Sequence, residues 1–238
     1  MISVPSGSFN MGSKKGFDIE KPVHTVTLSA FEMSETEITQ AQYEAVIGIN
    51  PSLAKENPQL PVERVSWYNA VLFCNKLSEV AGYENCYDEK TWECDLSKNG
   101  FRLPTEAEWE YACRAGTTTK YYSGNTIDDL IRVGWFTQNS EGKTHPVGQK
   151  LPNAWGLYDM HGNVWEWTYD WLGDYSRENV FNPTGAKTGK YRVIRGGGFP
   201  PWTPNNMGCE SGIRGYGIPD KSTGAVGFRV VRRSSAHN

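Results

Sequence analysis

Three oxygen-bearing side chains, Asp159, Asn163 and Glu166, stand close together in residues 155–171, which we call the signature segment. Gly162 lies among them and allows the backbone to turn, so that carbonyl oxygens can point inward. Carboxylates and free carbonyls on a bent loop suit Ca²⁺, although this spacing is not that of an EF-hand. The alternative is that Asp159 and Glu166 only accept hydrogen bonds from nearby indole and amide N–H groups.

The signature segment is also dense in aromatic residues, because four of the nine tryptophans lie within it. Aromatic side chains bury large areas, but a buried indole N–H or phenol O–H needs a hydrogen-bond partner. We therefore predict that this segment lies in the core and that its polar side chains form a network there.

The elements that must position this segment are predicted from capping residues and apolar periodicity. Thr39 and Thr105 each begin a capping box, with Gln42 and Glu108 three residues later, and Ser66 is the predicted cap of a further helix. Short apolar runs predict strands within residues 1–39, 191–197 and 226–231. Residues 83–100, 115–150 and 172–190 are predicted to be loop-rich, with Trp135 and Phe136 as buried anchors.

Three glutamates, Glu106, Glu108 and Glu110, follow the predicted cap at Thr105. Clustered carboxylates suggest acid–base chemistry, but acidic residues are also favoured by the positive end of a helix dipole. We interpret them as helix-dipole residues.

The composition restricts the class of protein. The 238 residues carry a formal net charge of −3 with 21% charged residues, which gives no basic patch for nucleic acid. Apolar stretches stay shorter than the roughly 18 residues that a membrane helix needs. The first residues, 1–7, read as a strand and not as a signal peptide, so we expect either a cytoplasmic protein or one whose leader has been removed.

The five cysteines include no CxxC pair, and an odd number leaves one unpaired in any disulfide scheme. Cys74 and Cys113 fall in helical patterns and are predicted to be buried free thiols. Cys86 and Cys94 could bridge a hairpin or remain free, and both alternatives are open. The four histidines form no metal-spaced pair, and we expect them to be solvated or hydrogen-bonded.

The run from Gly156 to Trp167, Gly-Leu-Tyr-Asp-Met-His-Gly-Asn-Val-Trp-Glu-Trp, resembles the signature of the formylglycine-generating enzyme family, also called the sulfatase-modifying-factor family. Residues 102–112, 191–197 and 226–231 match the family as well, so the resemblance covers nearly the full chain. It implies one α+β domain over residues 1–238 with a C-type-lectin-like fold of short strands, a few helices and much irregular structure. It also implies a structural calcium held by the side chains of Asp159 and Glu166 and the carbonyls of Gly162 and Val164, and a second calcium near residues 115–150.

The family's enzyme uses two cysteines to bind copper and oxidise a substrate cysteine. Counting back from Gly227, with Arg214 and Pro219 in their expected places, puts those cysteines at Asn206 and Ser211. Copper(I) needs soft ligands, and an amide or hydroxyl oxygen does not replace a thiolate. We therefore predict that the chain is not an enzyme and binds no copper. The alternative is a formylglycine-generating-type oxidase or another enzyme of the family.

Residues 198–225 depart from the family pattern and mix residue types without periodicity, and most of these types are reachable from an asparagine codon by changes at adenines. This resembles the variable proteins of diversity-generating retroelements, whose receptor-binding surface is rewritten by adenine-directed mutagenesis on the same scaffold. The resemblance implies a diversified binder of a protein ligand, displayed at the cell surface or outside it, whereas a pocket that has merely drifted is the other interpretation. The expected ligand-binding residues are Phe199, Pro201, Trp202, Thr203, Asn205, Asn206, Met207, Glu210, Tyr216, Ile218, Asp220, Lys221, Ser222 and Thr223.

Overall fold

A computed structural model describes residues 1–199 and 208–234 of the chain. The strands in this part are β1 (Ile2–Val4), β2 (Gly7–Met11), β3 (His24–Leu28), β4 (Phe31–Met33), β5 (Phe101–Arg102), β6 (Trp165–Trp171), β7 (Val180–Phe181), β8 (Arg192–Arg195), β9 (Gly215–Gly217), β10 (Val226–Gly227) and β11 (Val231–Arg233). The helices are α1 (Gln40–Ile47), α2 (Trp67–Ala81), α3 (Glu106–Arg114) and α4 (Ile127–Val133), with a 3-10 turn at Asp18–Glu20. The predicted α+β class is confirmed.

The helices begin where the capping residues predict. Thr39 accepts a hydrogen bond from Gln42 N, and Thr105 accepts one from Glu108 N, so both predicted capping boxes are confirmed. Ser66 caps α2 in the same way. These side chains satisfy backbone N–H groups that have no partner within the helix. By contrast, α4 lies inside residues 115–150, where the sequence predicted mainly loop, and Trp135 beside it is only half-buried.

The strands form three small sheets. The first has the order β1-β4-β11-β5, the second β10-β6-β8-β9 and the third β2-β3-β7. In the first sheet, Met33 of β4 stands opposite Ile2 on one side and Val231 on the other. In the second, the signature strand β6 lies between β10 and β8, so the signature segment occupies the centre of that sheet.

Two clusters of buried side chains make up most of the described core. One cluster surrounds Trp67 and Phe228, and the other surrounds Trp109 and Met33. The free thiols of Cys74 and Cys113 are buried in these clusters, as predicted, and Cys86 and Cys94 are free as well. Within residues 1–199 and 208–234, every helix is too short or too polar to span a bilayer.

The glutamates of α3 form buried ion pairs. Glu106 and Glu108 lie in the first turn, as the helix-dipole interpretation requires, whereas Glu110 does not. Glu106 pairs with Arg214 at 2.7 Å, and Glu108 pairs with Arg102 at 2.7 Å. Glu110 is fully buried and contacts the guanidinium groups of both Arg114 and Arg195. Buried charges persist only when they are paired, so long-range arginine contacts account for these acids better than the helix terminus does.

His161 of the signature segment is buried, and both of its ring nitrogens have partners. Nδ1–H donates to the carbonyl of Cys209 at 2.7 Å, and Nε2 accepts from the backbone N–H of Tyr122 at 3.0 Å. Burial lowers the pKa of His161 to about 3. The neutral imidazole therefore connects the signature segment, through its hydrogen bond to Cys209, to the segment that begins at residue 208.

We expect His161→Gln to weaken the acid sensitivity of folding. Because the folded-state pKa of His161 is depressed, its stabilising contribution is complete above the unfolded pKa near 6.5 and is lost as the pH falls towards 3. For the wild-type chain this amounts to about 3 kcal/mol between pH 7 and pH 4. Urea unfolding at both pH values measures the difference. If the free energy of unfolding fell equally between pH 7 and pH 4 in the wild type and in His161→Gln, His161 would not be the cause of the acid sensitivity.

Candidate ligand-binding site

Strand β9 consists of Gly215, Tyr216 and Gly217 and pairs with β8. A Cβ atom at Gly215 would lie 2.7 Å from the Trp165 ring, and one at Gly217 would lie 2.5 Å from the Trp167 ring. Glycine is therefore required on the inner side of this strand, where the backbone lies directly on two indoles. Because side chains alternate along a strand, Tyr216 points the other way and is 52% exposed.

The chain after Tyr216 is held by its backbone while its side chains face solvent. The carbonyl of Pro219 accepts from Trp67 N at 3.0 Å, and the carbonyl of Thr223 accepts from Arg64 N at 3.0 Å. Between these anchors Asp220, Lys221 and Ser222 are exposed, as is Ile218 before them. We call residues 216–223 the exposed strip. Side chains in such a strip can change without altering the core.

The other predicted ligand-binding residues lie elsewhere or outside the described part. Phe199 is half-buried, and its backbone N–H donates to the carbonyl of Asn163 at 3.2 Å. Glu210 forms an ion pair with Lys120 at 2.9 Å, away from the anchors of the exposed strip. The remaining predicted residues fall outside the described residues: Pro201, Trp202, Thr203, Asn205, Asn206 and Met207.

Ser211, at one of the positions where the family's enzyme has a cysteine, is completely buried. Its backbone N–H and its hydroxyl both donate to the carbonyl of Lys120, at 2.7 and 2.9 Å. The side chain is therefore committed to a structural contact. Asn206, the other such position, lies outside the described residues.

A thiol and an imidazole lie side by side near this position, a contact that no sequence pattern predicted. Cys113 Sγ is 3.7 Å from His161 Nε2, although the two residues are 48 positions apart. Burial raises the pKa of Cys113 to about 12, while burial lowers that of His161. Both groups are therefore neutral, and the pair lacks the thiolate that nucleophilic catalysis needs.

The signature segment carries a buried acidic network beneath this region. Glu166 accepts from Arg229 Nε and Nη2, both at 2.7 Å, and from Trp109 Nε1 at 2.7 Å. Asp159 Oδ2 accepts from the backbone N–H of Gly148 at 2.7 Å, whereas Asp159 Oδ1 is buried and has no hydrogen-bond partner within residues 1–199 and 208–234. Asp159 and Asn163 both have positive φ, at 57° and 61°, so the loop is bent as predicted.

Glu37 is a third buried carboxylate in this network. Its oxygens lie 3.4 Å from Val164 N and from Asn163 Nδ2. Burial raises the pKa of Glu37 well above its usual value, and the carboxylates of Asp159 and Glu166 raise it further. Burial likewise raises the pKa of Asp159 to about 6. Sequence patterns gave no reason to connect Glu37 with residues more than a hundred positions away.

Of the two side chains predicted to bind calcium, Asp159 is suited to do so and Glu166 is less suited. The open Oδ1 of Asp159 is an oxygen that a cation could use. Glu166, however, is already neutralised by Arg229, so it would have to be shared between that guanidinium and a metal. Among the described residues, no three carboxylate, histidine or cysteine side chains are grouped closely enough to hold a metal by themselves. Calcium binding stays a prediction.

Comparison with known proteins gives the family of the chain. The sulfatase-modifying factor enzyme 1-like domain matches residues 1–234. The chain is 32% identical over 266 residues to a protein named chaperone protein LppX of Paenibacillus barcinonensis, covering 98% of this chain and 89% of that one. It is 29% identical over 298 residues to the formylglycine-generating enzyme of Mus musculus, covering 97% and 74% of the two chains.

A solved structure is similar along almost its whole length. Treponema denticola variable protein 1 superposes with a TM-score of 0.90 at 35% sequence identity, covering 98% of this chain and 95% of that chain. Together with the family match, this likeness confirms the predicted C-type-lectin-like fold of the formylglycine-generating-enzyme type. The chain belongs to the family of sulfatase-modifying factor enzyme 1-like domains.

Proposed function

We propose that this protein is a diversified binding protein without oxidase activity, which holds a protein ligand through the variable segment 198–225. The observation that carries the proposal is the construction of β9 and the exposed strip. Two glycines fix the backbone against Trp165 and Trp167, and the intervening Tyr216 is presented to solvent. A rigid base with exchangeable side chains is what a diversified surface needs.

The similarity to a variable protein supports this proposal, since the matched protein carries that name. Tyr216 and Ile218 would supply contact area, and Asp220, Lys221 and Ser222 would supply adaptable hydrogen bonds. Lys221 pairs only weakly within the strip, at 3.7 Å from Asp220, so its charge is open to a ligand. Display at the cell surface goes with the proposal, and protease treatment of intact cells tests it.

Sequencing the gene from many isolates tests the diversification. We expect substitutions to concentrate at adenines of codons for exposed residues in segment 198–225, beside a reverse transcriptase gene and an adenine-rich repeat. The codons for Gly215 and Gly217 should stay constant, because any side chain there would collide with an indole. Substitutions spread evenly over the gene would contradict the proposal.

We expect no oxidation of a cysteine-containing sulfatase peptide by the purified chain, even after incubation with copper. Ser211 is locked onto the Lys120 carbonyl, and hydroxyl oxygens are poor copper(I) ligands. Mass spectrometry detects the loss of the thiol, and a formylglycine-generating enzyme assayed in parallel is the positive control. Conversion of the peptide at a rate comparable to that of the positive control would show that the chain is an oxidase and would contradict the proposed binding function.

We also propose that calcium binds at the signature segment, with Asp159 as a direct ligand. Calcium at about a hundredfold excess over its Kd should stabilise the wild-type chain by about 2.7 kcal/mol. Asp159→Asn should abolish that gain, because it removes the charge of the open carboxylate, while Asp18→Asn at an exposed position should keep it. Thermal unfolding with added calcium or with chelator measures the effect. An identical melting temperature in both conditions would exclude the site.

A further inference from the structure

A cavity lies between strands β6 and β7 and the loop at residues 183–186. It has a volume of about 560 Å³ and is lined by Asp170, Tyr175, Phe181, Gly185 and Arg214, among others. Of these residues only Arg214 belongs to the variable segment, and it was not predicted to bind ligand. The cavity is therefore distinct from the predicted ligand-binding surface.

The floor of this cavity includes the carboxylate of Asp170, which is only 3% exposed. Its Oδ2 accepts from the backbone N–H of Glu106 at 2.8 Å, at the first turn of α3. No hydrogen bond among the described residues ends on its Oδ1. A Cβ atom at Gly185 would lie 2.8 Å from Oδ1, so any side chain at position 185 would collide with this carboxyl group and cover it.

Among the described residues, Asp170 differs from the neighbouring acids in having no cation within ion-pair distance, although Arg214 and Arg192 are near enough to interact with its charge. Glu106 has Arg214, Glu108 has Arg102, and Glu110 has Arg114, whereas none of the ion pairs in the described part includes Asp170. Burial and the nearby Glu106 carboxylate together raise the pKa of Asp170 to about 8, although the positive charge of Arg214 opposes the shift. Ionisation of this buried carboxyl group is therefore costly, and a cation bound beside it would favour the ionised form.

The walls of the cavity suit a compact cation on an aliphatic chain. Phe181 stands at the rim and is 67% exposed, although it is a large apolar side chain. The ring of Tyr175 already carries the guanidinium of Arg214, whose Cζ is 4.1 Å from the ring centroid. A second flat guanidinium would compete with that stacking, whereas an ammonium group can donate one N–H to Asp170 and the others to water while its alkyl chain lies against the apolar wall.

We propose that this cavity binds a ligand bearing a protonated primary amine, which donates to Asp170 Oδ1 while its alkyl chain lies against Phe181 and Tyr175. The same chemistry could come from a free alkylamine or from a lysine side chain of another protein. The site is separate from the exposed strip and does not depend on it.

NMR titration of the wild-type chain with n-butylammonium, and with 1-butanol as its neutral counterpart, tests the proposal. We expect the ammonium to bind at least about tenfold more tightly than the alcohol. Intermolecular NOEs should connect the butyl protons to the rings of Phe181 and Tyr175, an observation that requires no variant. Equal binding of the two probes, an absence of binding, or NOEs to other residues would overturn the proposal.

Asp170→Asn should weaken binding of n-butylammonium by at least about tenfold, and Asp174→Asn, the same change at the exposed rim, should leave it within about twofold. Unchanged binding in Asp170→Asn, or equal losses in both variants, would contradict the assignment. Tyr216→Ala should keep the amine site intact, so that failure of the diversified surface and failure of this site are distinguishable. Nα-acetyl-lysine N-methylamide separates the sources: affinity equal to that of n-butylammonium favours a lysine side chain, and much weaker binding favours a free amine.

Discussion

Arg229→Met is expected to destabilise the protein by about 3–5 kcal/mol, because a buried charge that loses its partner is strongly unfavourable. Arg229 is completely buried and holds Glu166 through two hydrogen bonds of 2.7 Å. The same guanidinium also lowers the raised pKa values of Glu37 and Asp159. Its removal would leave the buried Glu166 carboxylate without a cation in contact and would withdraw a favourable charge from Glu37 and Asp159. Urea unfolding at pH 7 measures the loss.

Arg232→Met is the matched control for this prediction. Arg232 makes an equally short contact with Glu32, at 2.6 Å, but both side chains are partly exposed. We expect a smaller loss there, about 1 kcal/mol, since both groups retain some access to water, which can solvate Glu32 after its partner is removed. If Arg229→Met were no more harmful than this control, the carboxylates would have to be neutral or neutralised by another cation in the folded state.

Arg195→Met is expected to have the next largest effect, also about 3 kcal/mol or more. Arg195 is fully buried, contacts Glu110, and lies 3.3 Å from Glu106. Its guanidinium also donates to the carbonyls of Ser211 and Ile213, which lie directly before β9. The change would therefore destabilise the segment that leads into β9 as well as the core.

The companion measurement for Arg195→Met is amide hydrogen exchange of residues 211–217. We expect faster exchange there than in α2, because the carbonyl contacts that hold this segment are lost. Arg132→Met, which breaks an exposed pair with Asp129, is the control and should change neither stability nor exchange appreciably. A uniform rise in exchange over the whole chain would mean that Arg195 supports only global stability.

Local signals in the sequence predicted much of the framework. The capping boxes at Thr39 and Thr105 and the cap at Ser66 are confirmed, because each depends on residues within one helical turn. The short apolar runs also predicted the strands near both ends of the described chain. These features need no knowledge of distant residues.

The parts of the site that were missed depend on distant residues. The pairing of Glu106 with Arg214 spans 108 positions, and that of Glu37 with Asn163 spans 126. Strand β9 was not predicted, because its two glycines give no strand signal until Trp165 and Trp167 lie beneath them. Asp159, by contrast, was selected correctly as a buried oxygen donor, and its role towards calcium is still a prediction.

The position of β4 between β1 and β11 has a consequence for biosynthesis. Glu32 and Arg232, which pair across these strands, are 200 residues apart. During translation, β4 therefore emerges from the ribosome long before the strand that must complete its sheet. Until then its free edge is open to pairing with other chains, and slow closure of such long-range contacts favours aggregation. Nascent chains stalled before residue 231 should accordingly need more chaperone protection than chains that extend beyond β11.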